Sequence, residues 1–314
     1  MRRITTPHPL HLIACVGAIA CVATGTPRAQ GPARPDPLIR AATTEKISDH
    51  VYVIPDQGVP LVPNVGIIVG RRGLLVVDTG LGARNAQTIL KEVEPLRDGR
   101  ELYLATTHVH PEHDLGAMAF PPDTKMLRSR AQEEEIAATG METATRFAGL
   151  SALNAELLKD AAFRKADITF DREHTLDFGD VKVRLLAVGP SHTRGDTVFY
   201  VEPDGVLFSG DLAMTALPSF ASPASSLRQW LESLDRVEAL RPKRIVPSHG
   251  PMGDAGLIAN YRTFLTTVRR RTGELKAQGR SLDDTVAQLQ KELSDRYDRQ
   301  RMVSAIRVAY SEGP

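Results

Sequence analysis

Four times in this chain an apolar run of strand character ends on a histidine or an acid. "ELYLATT" (101–107) runs into His108, His110, Glu112 and His113; "VRLLAVGPS" (183–191) into His192; "GVLFSG" (205–210) into Asp211; "KRIVPS" (243–248) into His249. Loops at the ends of strands, held by a rigid sheet, are where binding sites are built. The set holds five of the nine histidines in 314 residues, which read either as a metal nest or as solvated loops rich in His. Any fold of this chain has to say whether these four strand ends meet.

The remaining pattern is compatible with their meeting. "HVYVI" (50–54), "NVGIIVG" (64–70) and "GLLVVDTG" (73–80) read as strands, the last two joined by the turn at Gly70, Arg71, Arg72 and Gly73. Residues 83–96 read as a helix stopping near Pro95. Residues 129–165 are rich in Ala, Glu, Leu and Arg and read as helices, with Glu133–Glu135 as a solvated face. Strand signals return at 167–170, 174–178, 181–189, 197–201 and 205–211. In 225–240, Leu227, Trp230, Leu231, Leu234 and Val237 fall on one stripe, and Leu257, Ile258, Tyr261, Phe264, Leu265 and Val268 give another. Trp230 and Tyr261 are therefore expected in the core. Two β-rich halves, each followed by helices, fit an α/β four-layer αββα sandwich.

Residues 1–29 read as a secretory signal peptide: Arg2 and Arg3 precede the apolar stretch 10–25, which is too short for a comfortable span. A flexible segment (30–44), a main domain (45–265) and a helical extension (266–314), packed on the domain or trailing from it, complete the expected organisation. Cys15 and Cys21 both lie in the leader, so the mature chain would have no thiolate ligand, cysteine nucleophile or disulfide. Cleavage also takes Arg28 with Arg2 and Arg3. Basic residues then fall from 39 to 36 against 38 acids, a net charge near −2. This balance argues against a nucleic-acid partner. A periplasmic or secreted protein acting on a small molecule, with no stable membrane insertion after cleavage, is expected.

Imidazole and carboxylate without thiolate suits Zn, Fe, Mn or Ni, with zinc the default for hydrolysis. His108 and His110 are two apart in an extended segment, so they point the same way and can grip one ion. Unmetallated, the cluster would repel itself when protonated or leave donors unpaired when neutral.

In "HVHPEH" (108–113), "GPSHTRGDT" (189–197), "LFSGD" (207–211), "VPSHG" (246–250) and "VVDTG" (76–80), the chain resembles the metallo-β-lactamase superfamily over roughly residues 45–265. That resemblance implies the αββα sandwich and two metal positions, His108, His110 and His192 at the first, His113 and His249 at the second, and Asp211 bridging. Asp78 would brace a ligand histidine. Glu112 stands where the family pattern has Asp, and Asp114 lies where it needs no ligand. Glu112 could ligate the second metal, act as base, or weaken the second site. The implied chemistry is hydrolysis by a metal-activated water, with Glu112 or Asp211 orienting the nucleophile and taking its proton.

The expected function is therefore an exported metallo-hydrolase holding two zinc ions, with Fe or Mn possible in their place. Its substrate would be a small ester, thioester, lactone or amide. A β-lactamase fits less well, because Asp211 replaces the Cys or Ser usual in lactamases of this family. A metal-retaining accessory protein of a periplasmic oxidation system and an iron oxidoreductase are the competing readings. Pocket walls are expected from 55–64, 140–165 and 213–224. His50 and His174 fall outside the pattern.

Overall fold

The run Gly73–Val77 is buried along its whole length, which requires cover on both faces of its sheet. The computed structural model describes residues 35–217 and 220–313; the signal-peptide expectation for 1–29 lies outside them. Seven strands form one sheet in chain order, β1 (Glu45–Lys46), β2 (Val51–Ile54), β3 (Val65–Val69), β4 (Gly73–Val77), β5 (Glu101–Ala105), β6 (Lys125–Ser129) and β7 (Ile168–Phe170). Pairing is antiparallel from β1 to β4 and parallel from β4 to β7. A second sheet holds β8 (Glu173–Asp177), β9 (Lys182–Ala187), β10 (Thr197–Val201), β11 (Val206–Gly210) and β12 (Arg244–Pro247), in the order β12-β11-β10-β9-β8. Only its β11–β12 pair is parallel.

Period-two alternation divides each strand between two cores. From β4, Leu75 and Val77 face the second sheet, where they join Val183, Leu185, Phe199 and Phe208. Leu74 and Val76 point the other way, onto Ala86, Ile89 and Val93 of helix α1 (Gly82–Arg97). The sheets approach closely at Gly66, where a Cβ would lie 2.4 Å from the Phe208 ring. Pro95 lies inside α1, which continues to Arg97 rather than stopping at the proline. Only the last turn is affected, so little of the hydrogen-bond ladder is lost.

A short helix, α2 (Pro111–Asp114), follows β5. The stretch expected as helices contains α3 (Arg130–Glu135), a π turn, α4 (Met141–Ala148) and α5 (Ala152–Leu157). β6 precedes it and carries no strand signal in the sequence. Glu133–Glu135 is not a solvated face. Glu135 is buried and accepts the Gly195 N–H, while Glu133 pairs with the buried Arg128.

The fourth layer is α6 (Leu227–Glu238) and α7 (Gly256–Ala277), joined by α8 (Leu282–Leu293) and α9 (Arg299–Glu312). Trp230 and Tyr261 are core residues, as expected. The expected division at residue 265 falls inside α7. Phe264, Leu265 and Val268 share one core with Met302, Ala305 and Ile306 of α9, so the extension packs on the sheet instead of trailing. At the other end, residues 35–44 are anchored: Ile39 is buried, its N–H donates to Asn85 Oδ1, and Ala42 N–H donates to Glu92. Among the described residues no helix is long and apolar enough to cross a membrane.

Ile306 is fully buried in that shared core. Ile306→Ala is expected to lower unfolding stability by about 2–4 kcal/mol in a single urea transition. A separate early transition, or a change below about 1 kcal/mol, would show that α9 does not share the core.

Candidate metal centre

Each residue singled out in the sequence lies at or just after the carboxyl end of a strand: Asp78 after β4, His108–His113 after β5, His192 after β9, Asp211 after β11 and His249 after β12. The two sheets bring these ends to one rim. Three groups of donor atoms converge there, each within 4.8 Å: His108, His110 and His192; His108, His113 and Asp211; Glu112, His113 and His249. Shared membership of His108 and His113 links the groups into one centre.

Hydrogen bonds on the far side of each ring decide which nitrogen faces inward. Asp78 carries most of this. It accepts the Thr107 N–H at 2.7 Å, the Thr107 hydroxyl at 3.1 Å and His113 Nδ1–H at 2.9 Å. With its proton committed to Asp78, the Thr107 hydroxyl accepts from His108 Nδ1–H at 3.1 Å. His249 Nδ1–H donates to the Val62 carbonyl at 2.9 Å. His108, His113 and His249 therefore each present a lone pair on Nε2. His110 turns Nδ1 inward, 3.1 Å from His108 Nε2 and 3.3 Å from His192 Nε2. A tetrahedral zinc with bonds of about 2.0–2.1 Å sets its nitrogens roughly 3.3–3.4 Å apart, so these spacings suit one ion.

Local structure explains the placement. Pro111 opens α2, where its missing N–H costs nothing, and one turn carries both Glu112 and His113. Asp78 adopts the left-handed region, φ 70°, which Asp tolerates better than most residues. Beneath α2, Asp114 is fully buried and takes two bonds from Arg128, at 2.9 and 2.6 Å, and one from Thr106 at 2.8 Å. Asp114 is thus an anchor for the ligand turn. The His249 loop is held by Asn64, which donates to the Pro247 and Gly250 carbonyls, and by Asp56, which accepts Gly250 N–H. His192 shares its loop with Asp196, which accepts the Thr193 N–H and hydroxyl. His50 instead pairs with Asp204, away from the centre.

The charges point to a cation. Burial, then the neighbouring histidines, hold His108 and His110 well below their ordinary range; burial and His249 push His113 down to about 3. These imidazoles are neutral. Burial pushes Glu112 and Asp78 each up to about 8. Yet every contact made by Asp78 comes from a donor, the pattern of an ionised carboxylate. Burial alone would raise Asp211 too, but its neighbours, His192 and then His249, hold it below its ordinary value. Glu112 Oε2, His113 Nε2 and Asp211 Oδ1 are buried without a hydrogen-bond partner. Carboxylates buried among imidazoles, with unsatisfied atoms on members of two donor groups that share His113, fit a divalent cation.

The centre opens into a cavity of about 590 Å³. Its walls include Gly58, Val59, Pro60 and Leu61 from the first expected rim, Phe147 from the second, and Met214 and Ala216 from the third. Arg301 of α9 also lines it. Nothing in the sequence marks Arg301, because its presence depends on how α9 docks. Arg128 escapes sequence reasoning for a different reason: a buried guanidinium in a five-residue strand leaves no periodic trace.

A family model described as "Metallo-beta-lactamase superfamily" matches residues 58–249. "Metallo-beta-lactamase type 2" of Bacillus cereus is 24% identical over 209 residues, 65% of this chain and 73% of that one. "Linear primary-alkylsulfatase" of Pseudomonas sp. (strain ATCC 19151) is 26% identical over 219 residues, 59% of this chain and 40% of that one. The structure of the inverting sec-alkylsulfatase Pisa1 from Pseudomonas sp. superposes with a TM-score of 0.68 at 16% identity, covering 86% of this chain and 50% of that one. The chain thus spans half or less of the length of these alkylsulfatases, and the structural likeness is one of fold.

Asp78→Ala, by freeing the His113 and His108 rings, is expected to weaken metal binding about 10–100-fold in competition with a chelating dye. Unchanged affinity would make Asp78 a turn residue only. A pH dependence follows from the same groups. Between pH 6.5 and 8 the folded metal-free chain keeps a proton on Glu112 that the unfolded chain has released, while Asp78, ionised among its donors, adds none, so stability falls as pH rises. Below pH 6.5 the three depressed histidines outnumber the two raised carboxyls, Glu112 and Asp196, and reverse the slope, because the unfolded chain takes up protons that the folded one refuses. The melting temperature of chelated protein should therefore peak near pH 6.5 and decline toward pH 8, on the order of 1–3 kcal/mol of stability. Metal loading should flatten that decline; a chelated protein that gained stability up to pH 8 would contradict the assignment.

Proposed function

This chain is a metal-dependent hydrolase that belongs to the metallo-β-lactamase superfamily, and we propose that it is exported and uses zinc on a small ester, thioester, lactone or amide. The observation that carries the reading is the linked set of donor groups, with Glu112 Oε2, His113 Nε2 and Asp211 Oδ1 turned inward and unpaired. Under it, His108, His110 and His192 hold one ion, and Glu112, His113 and His249 hold a second. Asp211 lies 3.4 Å from His192 and groups with His108 and His113, which supports a bridging role. Imidazole and carboxylate donors without sulfur suit zinc, Fe or Mn, and zinc is the default for hydrolysis. A cation in this place supplies Lewis acidity and lowers the pKa of water.

The chain's own groups do the rest. Glu112 would hold the second ion through one carboxylate oxygen and accept a proton from the attacking water through the other. Asp78 and Thr107 keep the ring tautomers fixed while charge moves. Leu61, Phe147 and Met214 give the cavity an apolar side that suits an acyl or alkyl group and limits water. Export rests on the composition of residues 1–29. A β-lactamase reading draws on the Bacillus cereus relative and is weakened by Asp211 at the bridging position.

Purified protein is expected to hold stoichiometric zinc and to hydrolyse members of a panel of chromogenic esters, thioesters, lactones and lactams. Chelation should abolish turnover and zinc restore it. Glu112→Gln should lower kcat about 10²–10⁴-fold, with Glu112→Asp retaining more activity. A fully metal-loaded protein inert toward the whole panel would favour a metal-retaining accessory role, and dominant iron would favour an oxidoreductase.

A further inference from the structure

The C-terminal helices lie beyond the segment matched by the family model, which ends at residue 249, yet α9 reaches the metal cavity. It does so through Arg301 in its first turn, where the Arg301 N–H is capped by the Asp298 carboxylate. Arg301 Nη1 donates to the Leu217 carbonyl at 2.6 Å, in the loop that follows Asp211. The same helix holds the rest of that loop: Ser304 Oγ accepts the Phe220 N–H, and Glu312 accepts the Leu227 N–H. The guanidinium is thus fixed by one corner of its fork.

Arg301 is an exposed residue at the cavity wall. Among the described residues it is the only cationic side chain lining the cavity, beside the carboxylates Asp56, Glu112 and Asp211. None of these forms an ion pair with it. Glu112 and Asp211 belong to the donor groups, and Asp56 is engaged by the Gly58 and Gly250 N–H groups. Arg146 lines an adjoining cavity of about 190 Å³ that shares His110 with this one. A planar fork held by one nitrogen, exposed to the cavity and lacking a carboxylate, is built to receive two oxygens of an anion.

We propose that Arg301 is a specificity-determining residue that binds a carboxylate carried by the substrate at the end away from the scissile bond, so that acidic esters or amides are preferred over neutral ones. The inference rests on the hydrolase reading above and narrows it to anionic substrates. It also gives the C-terminal helices a functional role, because the pocket that selects the substrate is incomplete without α9.

The test uses metal-loaded full-length protein and a matched pair, the mono-4-nitrophenyl ester of adipic acid and 4-nitrophenyl hexanoate, which differ by a carboxylate in place of a methyl. Wild type should prefer the acidic ester about tenfold in kcat/KM. Arg301→Ala should bring the ratio near one, chiefly through KM, and Arg301→Lys should keep part of it. Binding of adipic acid monoamide against hexanamide is measured alongside by calorimetry. If neither ester is turned over but wild type binds the acidic amide about tenfold tighter and Arg301→Ala loses that difference, the hydrolase reading fails and the Arg301 assignment stands. Wild type with no preference, or binding neither compound, overturns the proposal. So does a preference that survives in Arg301→Ala, which would place the carboxylate on the metal.

Discussion

Asp78 takes hydrogen bonds from the Thr107 backbone, the Thr107 hydroxyl and His113 at the floor of the centre. Through Thr107 it also fixes His108. One buried acid therefore decides the tautomers of two candidate ligand histidines from the β5 loop, and both participate in more than one donor group. The arrangement is costly to bury without a positive charge nearby, because burial pushes Asp78 and Glu112 toward their neutral forms while the donors around Asp78 call for the ionised one. A cation at the convergence of the groups removes that conflict. Metal binding and the stability of this rim are then one problem, and ligand deprotonation couples both to pH.

Rigid support comes from the layers behind the loops. The candidate ligands sit at the ends of strands whose side chains alternate between the inter-sheet core and a helix-covered core. The α2 turn has its own support in the buried Asp114–Arg128 pair, which is joined to Glu133 and the Arg164 carbonyl. Removing either partner would strand a charge in the interior, so the pair is worth more as a fixed point than its net contribution to stability implies. The loop to α6 is tied down by α9, which makes the last helix part of the cavity wall as well as of the core.

The substitution of Glu for the expected Asp at 112 is accommodated by the same support. α2 places Glu112 in a donor group with His113 and His249, so the longer stem is taken up within the turn and the carboxylate still reaches the second position. The reach that keeps it near His113 also leaves Oε2 without a partner. On the proposed reading, ligation and proton acceptance would draw on different oxygens of the same side chain.

By itself the sequence determined the αββα layering, because period-two apolar strands and amphipathic helices have few ways to bury both sheet faces. It also offered the candidate donors, five histidines and two carboxylates directly after strands, which the fold brings to one rim. Trp230 and Tyr261 could be assigned to the core from helical periodicity alone. Tertiary structure decided the rest. β6, the burial of Glu135 and the Asp114–Arg128 pair depend on partners far along the chain, and a buried charge has no local signature that separates it from a solvated one. Arg301 entered the cavity only because α9 docks on the sheet, a contact set by shape and packing between distant segments and invisible to any pattern of neighbouring residues.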